Sequence, residues 1–340
     1  MKKFLSLVLV LILILSMVAC EQNKEHSTDI ESDKAIQYPL TLVDQAGREI
    51  TIEEEPKTLV SAYYISTSML IALDLDERLV GVETEPEKRP IYKLSAPHIL
   101  ELPWIGNVKE FDVEGCAALN PDLVILPMKL KDTVGILEDL GMNVLLINPE
   151  SQELLEESIR LIAEANNVKD RADELLSWIN NQKEGLEKML EETESPTVYL
   201  AGNSNLLSTA GDQMYQSNMI RLAHGKNVAA EIQDTYWAQT DYEQLMAWDP
   251  AYIILAADAV YNVDDVLKNP NLIYCDAVKN KRVYKMPNKA EAWDSPVPSG
   301  ILGSIWMTNT LHPELMTDED YGAIIDEYYE KFYGFTYSQI

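Results

Sequence analysis

The sequence predicts an α/β protein of two lobes, each built on a mostly parallel sheet, joined by one long α-helix. Three observations predict it. Short continuous apolar runs alternate with amphipathic helical segments in both the first and the second half of the 340 residues. That alternation is the grammar of βαβ units whose parallel sheet is covered on both faces, so each lobe reads as Rossmann-like. Between the alternating regions, residues 170–192 contain no proline and only Gly185 as glycine. Finally, one pattern of acid, proline and apolar strand occurs once in each half.

The elements follow in order. Residues 40–52 read as strand, turn and strand around Gln45-Ala46-Gly47-Arg48. Residues 58–63 are strand-like, 66–75 helical and 78–83 strand-like. A short helix at 114–119, a strand at 122–126, a helix at 132–140 closed by Gly141 and a strand at 142–147 continue the alternation. Residues 153–165 are helical and end at Asn166-Asn167. In 170–192, Ala172, Leu175, Leu176, Ile179, Leu186, Met189 and Leu190 recur at helical spacing, and a helix of that length spans about 34 Å. Pro196 stops it, and a second alternating region runs to the end. The expected organisation is a lobe at 38–168, the helix at 169–194 and a lobe at 195–340.

The repeated pattern sharpens the two-lobe reading. One copy runs from Asp112 through Glu114 and Pro121 to Leu126; the other runs from Asp241 through Glu243 and Pro250 to Leu255. The offsets from Asp to Glu and from Glu to Pro are identical in both. An acid at a helix start suits the helix dipole, and a proline ends the helix before a strand. That logic explains each copy alone and the shared spacing less well.

Residues 1–19 form a leader: Lys2 and Lys3, an apolar run from Phe4 to Leu15, then small and medium residues. This describes a secretory signal, and the run is short for a hydrocarbon core of about 30 Å. Met17-Val18-Ala19-Cys20 resembles a bacterial lipobox, which implies lipidation of Cys20. Residues 20–37 are then a polar tether without apolar periodicity. The expected location is extracytoplasmic, lipid-anchored to the cell membrane.

The net charge of −29 repels nucleic acid phosphates and argues against a nucleic-acid partner. Cys116 and Cys275 fall in different lobes, so no disulfide is expected between them. His26, His98, His224 and His312 show no metal-ligand spacing. No directly ligated metal and no resident cofactor are expected. Nucleophile elbows, zinc-protease motifs and phosphate-binding glycine loops are absent from the sequence, so no catalytic residues are assigned.

Several landmarks together resemble the substrate-binding proteins of ABC importers for ferric siderophores, haem and cobalamin, the rigid-helix class. They are Pro56-Lys57-Thr58-Leu59-Val60-Ser61, Leu79-Val80-Gly81-Val82 and Leu119-Asn120-Pro121-Asp122-Leu123-Val124-Ile125. In the second half they are Ser208-Thr209-Ala210-Gly211, Gly225-Lys226-Asn227-Val228-Ala229, Trp248-Asp249-Pro250 and Arg282-Val283-Tyr284. The resemblance implies a non-enzymatic receptor that captures a metal chelate, foremost a ferric siderophore, in an inter-lobe cleft. Its partners would be an ABC permease dimer and the ATPase. Glu114 and Glu243 match the family's permease-docking glutamates. A cobalamin or haem receptor of the same class is the alternative cargo reading, and a surface adhesin or sensor on the same fold is the alternative from another class.

For the ligand, the resemblance points to aromatic residues in edge loops: Trp104, Tyr236, Trp237 and Trp293. Tyr63 and Tyr64 end the first crossover strand, where parallel sheets present ligands with their carboxyl edge. The family's late-loop arginine is missing after Trp293, where Ser295-Pro296-Val297-Pro298 stands instead. Arg89, or Lys129 and Lys131, are candidates to supply the positive charge. Asn203, Asn205 and Tyr215 are candidates for neutral hydrogen bonds.

Overall fold

The computed structural model describes residues 36–233 and 237–340. The leader and Cys20 lie outside them, as does Tyr236. The globular part opens with a hairpin, β1 (Leu40–Val43) against β2 (Glu49–Ile52). Asp44 holds its turn by accepting from the Ala46 and Arg48 backbone N–H groups and from the Arg48 guanidinium, while Gly47 takes the left-handed conformation.

The first sheet has the order β4 (Leu79–Gly81), β3 (Leu59–Ser61), β5 (Leu123–Pro127), β6 (Asn143–Ile147) and is wholly parallel. Strand β5 is buried at every position, as expected of a strand covered on both faces. Helices α1 (Tyr64–Ala72), α2 (Pro90–Ser95), α3 (Val113–Leu119) and α4 (Val134–Asp139) connect these strands. Helix α5 (Gln152–Ala165) starts at Ser151, whose hydroxyl accepts from the Leu154 N–H. Helix α6 (Lys169–Leu190) is the expected spanning helix of 22 residues, about 33 Å long. It buries Ala172, Leu175, Leu176, Trp178, Ile179, Leu186 and Leu190.

The second half contains β7 (Thr197–Ala201), β8 (Ser208–Ala210), α7 (Tyr215–Leu222), β9 (Lys226–Asn227), β10 (Trp237–Gln239) and α8 (Tyr242–Trp248). Then follow β11 (Tyr252–Leu255), α9 (Val263–Leu267), α10 (Asp276–Lys279), β12 (Val283–Lys285), α11 (Gly300–Leu311) and α12 (Asp318–Tyr333). Its sheet is mixed. Strands β7, β9, β11 and β12 pair in parallel, whereas β8 and β10 are antiparallel additions. Both sheets thus fit the expected α/β class with mostly parallel strands.

Helix α12 does not stay within the half to which its sequence position assigns it. Trp178 of α6 donates its indole N–H to Glu327 at 3.0 Å, and Arg171 donates to the Lys331 carbonyl at 3.0 Å. The Ser68 and Tyr333 hydroxyls meet at 3.1 Å, tying α12 to α1. Tyr328, Tyr329, Phe332 and Tyr333 are all buried, in one core cluster with Leu70, Trp178, Met219 and Trp293. The helical pattern is readable from sequence, but its aromatic face finds partners from both halves. Residues 37–340 form one compact unit in consequence. No described helix is long and apolar enough to cross a membrane.

Candidate ligand site between the two sheets

A cavity of about 420 Å³ lies where the carboxyl ends of the first sheet face the second half. Tyr63 follows β3, Met128, Lys129 and Lys131 follow β5, and Asn148, Pro149 and Glu150 follow β6. Parallel strands end in the same direction, so consecutive loops converge on one edge. Val108 closes the cavity from the first half, and Met214 and Trp237 close it from the second. Trp237 opens β10 and pairs with Ala210 of β8. Its ring rests on Gly202, where an added Cβ would lie 2.9 Å from the indole. Only glycine leaves room for that approach.

The lining is asymmetric. The first half supplies the polar groups and the second supplies apolar surface. Lys129 and Lys131 are exposed cations. Burial pushes the Glu150 carboxyl upward, against the attraction of Lys129. Burial raises the Tyr63 phenol further, with help from Tyr64 and Glu150, so Tyr63 is a neutral hydroxyl at ordinary pH. A phenol so held offers a hydrogen bond rather than an anionic oxygen.

Tyr64 and Arg89 are placed elsewhere, in a smaller cavity of about 150 Å³ that also spans the halves, with Tyr92, Asp258, Asn288 and Glu291. The Arg89 guanidinium stacks 4.0 Å from the Tyr64 ring centre, and the Tyr64 hydroxyl donates to Ser295 Oγ at 3.2 Å. Burial raises the carboxyls of Glu83 and Glu291 nearby, while Thr67 and Tyr92 donate to the first and Ser299 to the second.

Five expected ligand residues lie outside both cavities. Trp293, expected in a cleft-edge loop, is 1% exposed, donates to the Tyr329 hydroxyl at 2.8 Å and packs on Tyr337. It belongs to the shared core. Tyr215 is likewise buried, because its helix α7 packs against α11. Trp104 is 51% exposed, pairs through its backbone with Val82 and reaches neither cavity. Asn203 and Asn205 sit in an exposed turn, where Asn205 caps the Leu207 N–H at 2.9 Å. Asn148, Glu150, Met128 and Met214 were not anticipated. The signal was available for three of them: they directly follow the expected strands 122–126 and 142–147.

The repeated pattern folds alike in both halves. Asp112 caps α3 by accepting from the Gly115 N–H at 2.9 Å, and Asp241 caps α8 by accepting from the Gln244 N–H at 2.8 Å. Each helix has seven residues and ends at a left-handed residue, Asn120 or Asp249. A buried proline and a parallel strand follow each one. Glu114 and Glu243 are exposed at the second position of these helices.

Cys116 and Cys275 are free and buried in separate clusters. Among the described residues, Asp76, Glu77 and His98 form one group with metal-ligand chemistry. The Asp76 and Glu77 carboxylates lie 3.7 and 3.9 Å from the two ring nitrogens of His98.

Fold and site together define a two-lobed solute receptor whose cavity lies between the carboxyl edge of the parallel first sheet and the antiparallel extension of the second. The sequence profile of periplasmic binding proteins matches residues 59–290, and the chain belongs to that family. It is 25% identical to the molybdate-binding protein MolA of Haemophilus influenzae, over 87% of this chain and 91% of MolA. The solved structure of MolA bound to molybdate superposes with a TM-score of 0.77, covering 88% of this chain and 99% of that one. An ABC transporter substrate-binding lipoprotein of Bacillus subtilis, YvrC, is 27% identical over 84% of this chain and 90% of its own. The chain is thus a substrate-binding protein of the ABC-importer class.

Proposed function

We propose that the protein is a lipid-anchored receptor that captures an organic metal chelate, foremost a ferric siderophore, and delivers it to an ABC permease. The observation that carries the cargo reading is the 420 Å³ cavity with Lys129 and Lys131 on one side and Trp237 on the other. Its size falls in the range that encloses drug-sized ligands. Two cations suit an anionic chelate, and the tryptophan supplies rigid contact area for its organic frame. A petrobactin-binding protein of Bacillus subtilis, 21% identical over 83% of this chain and 90% of its own, supports the same class of cargo. A bare oxyanion is the second reading, supported by the same two lysines and by the relation to MolA.

Delivery is assigned to Glu114 and Glu243. Two exposed carboxylates on matching helices of a quasi-symmetric protein suit a two-fold symmetric basic partner. Anchoring is assigned to lipid on Cys20.

Isothermal titration of the full chain in detergent tests the cargo reading with ferric hydroxamate and catecholate chelates, haem, cyanocobalamin and molybdate. Sub-micromolar binding of a ferric chelate, weakened at least tenfold by Trp237→Ala, is the expected result. Tight binding of molybdate alone would replace the chelate reading with the oxyanion one.

A further inference from the structure

The 420 Å³ cavity holds one group that its two lysines do not explain. Glu150 follows β6 and faces the space shared with Tyr63, Lys129 and Lys131. Its backbone N–H bonds to the Asn148 carbonyl at 2.8 Å, but its carboxylate makes no hydrogen bond or ion pair with any described residue. The Tyr63 hydroxyl is unpartnered in the same sense. Lys129 acts on Glu150 only through the field. Among the described residues the cavity therefore presents two cations, one acceptor carboxylate and one hydroxyl without a hydrogen-bond or ion-pair partner.

We propose that Glu150 selects the cargo: it admits an organic chelate carrying a hydrogen-bond donor beside its acidic groups, and it turns away bare oxyanions. The inference rests on the import reading above. A tetrahedral oxyanion satisfies Lys129 and Lys131 but sets like charge against a half-buried carboxylate, where screening by water is reduced. It also leaves that carboxylate without a donor, and an unmet buried acceptor costs binding energy. An amide, amine or hydroxyl on a chelate removes both penalties at once. Its acidic portion still meets the lysines, and its carbon frame lies against Trp237. Discrimination by an unpaired polar group is stronger than discrimination by apolar fit, because the wrong ligand strands the group.

The test compares wild type with Glu150→Gln in the full chain, using three probes: sodium molybdate, cyanocobalamin and the ferric complex of a citrate-centred dihydroxamate with amide arms. Wild type should bind one of the amide-bearing chelates at least tenfold more tightly than molybdate. Glu150→Gln, which keeps the shape and removes the charge, should strengthen molybdate binding about tenfold and weaken that chelate about tenfold. The proposal is overturned by unchanged molybdate affinity in Glu150→Gln, or by a wild type that prefers molybdate to both chelates. Binding of no probe by either form, with both cooperatively folded, would overturn the chelate reading of this cavity and with it the role of Glu150. Lys129→Ala separates the cases further, since it should weaken molybdate and the ferric chelate together.

Discussion

Helices α3 and α8 are built alike down to their caps, whereas the loops that meet the cavity from the two halves share almost nothing. Each helix begins at an aspartate, places a glutamate at its second position and ends at a left-handed residue before a proline. The cavity, by contrast, takes Lys129, Lys131, Glu150 and Tyr63 from the first half and Met214 and Trp237 from the second. The difference lies in the sheets. The first is wholly parallel and ends in loops, while β8 and β10 extend the second in antiparallel fashion and carry Trp237 to the cleft. A symmetric partner keeps duplicated features alike; an asymmetric small molecule imposes no such constraint.

The largest test of this contrast is the double variant Glu114→Ala, Glu243→Ala. Transport of the chelate into cells should fall at least a hundredfold, while chelate affinity measured by titration stays within about twofold. Each single variant should cost transport by a similar factor, and a large imbalance would break the equivalence of the two helices. Next in size, Trp237→Ala should weaken chelate binding by about ten- to a hundredfold with little change in thermal stability, since the indole is 36% exposed. Trp104→Ala, by contrast, should leave affinity unchanged, since Trp104 lines neither cavity.

The buried carboxylates offer a smaller and independent handle. Burial pushes Asp294 up to about 6, although the Ala257 N–H donates to it at 3.0 Å and Lys285 attracts it, with Asp258 opposing. The folded state therefore holds this proton more tightly than the unfolded chain does. Stability contributed by the neutral acid is present at low pH and is lost as pH rises through about 6. In urea unfolding, wild type should lose up to about 3 kcal/mol more than Asp294→Asn between pH 4 and 7. Parallel pH profiles for the two proteins would remove Asp294 from the account.

Much of this fold was legible because period and punctuation are local. The hairpin around Gly47, the buried strands, the 22-residue helix and the paired Asp–Glu–Pro elements all appear where the residues predicted them. The destination of α12 was not legible, since an aromatic face says that a helix is buried but not against what. Trp293 failed for a related reason. A tryptophan before Ser-Pro reads as a loop residue, yet its indole N–H finds the Tyr329 hydroxyl from α12, a partner that only the fold brings near. Glu150 escaped notice because one acid among 56 acidic residues carries no signal until the strand ends are aligned.

The smallest expected effect sharpens the comparison most. Asp112→Ala and Asp241→Ala each remove one helix cap, and each should cost about 1 kcal/mol in denaturant unfolding. Equal costs support equivalent construction; a difference beyond about 1 kcal/mol would mean that the two helices lean on their surroundings differently.

The most direct test of the central claim is a crystal structure of the chain with a ferric chelate, its iron located by anomalous scattering. The account predicts iron in the 420 Å³ cavity, with the chelate between Lys129 and Glu150 on one side and Trp237 on the other. Iron in the smaller cavity beside Arg89 and Glu291, or on the outer surface, would contradict it.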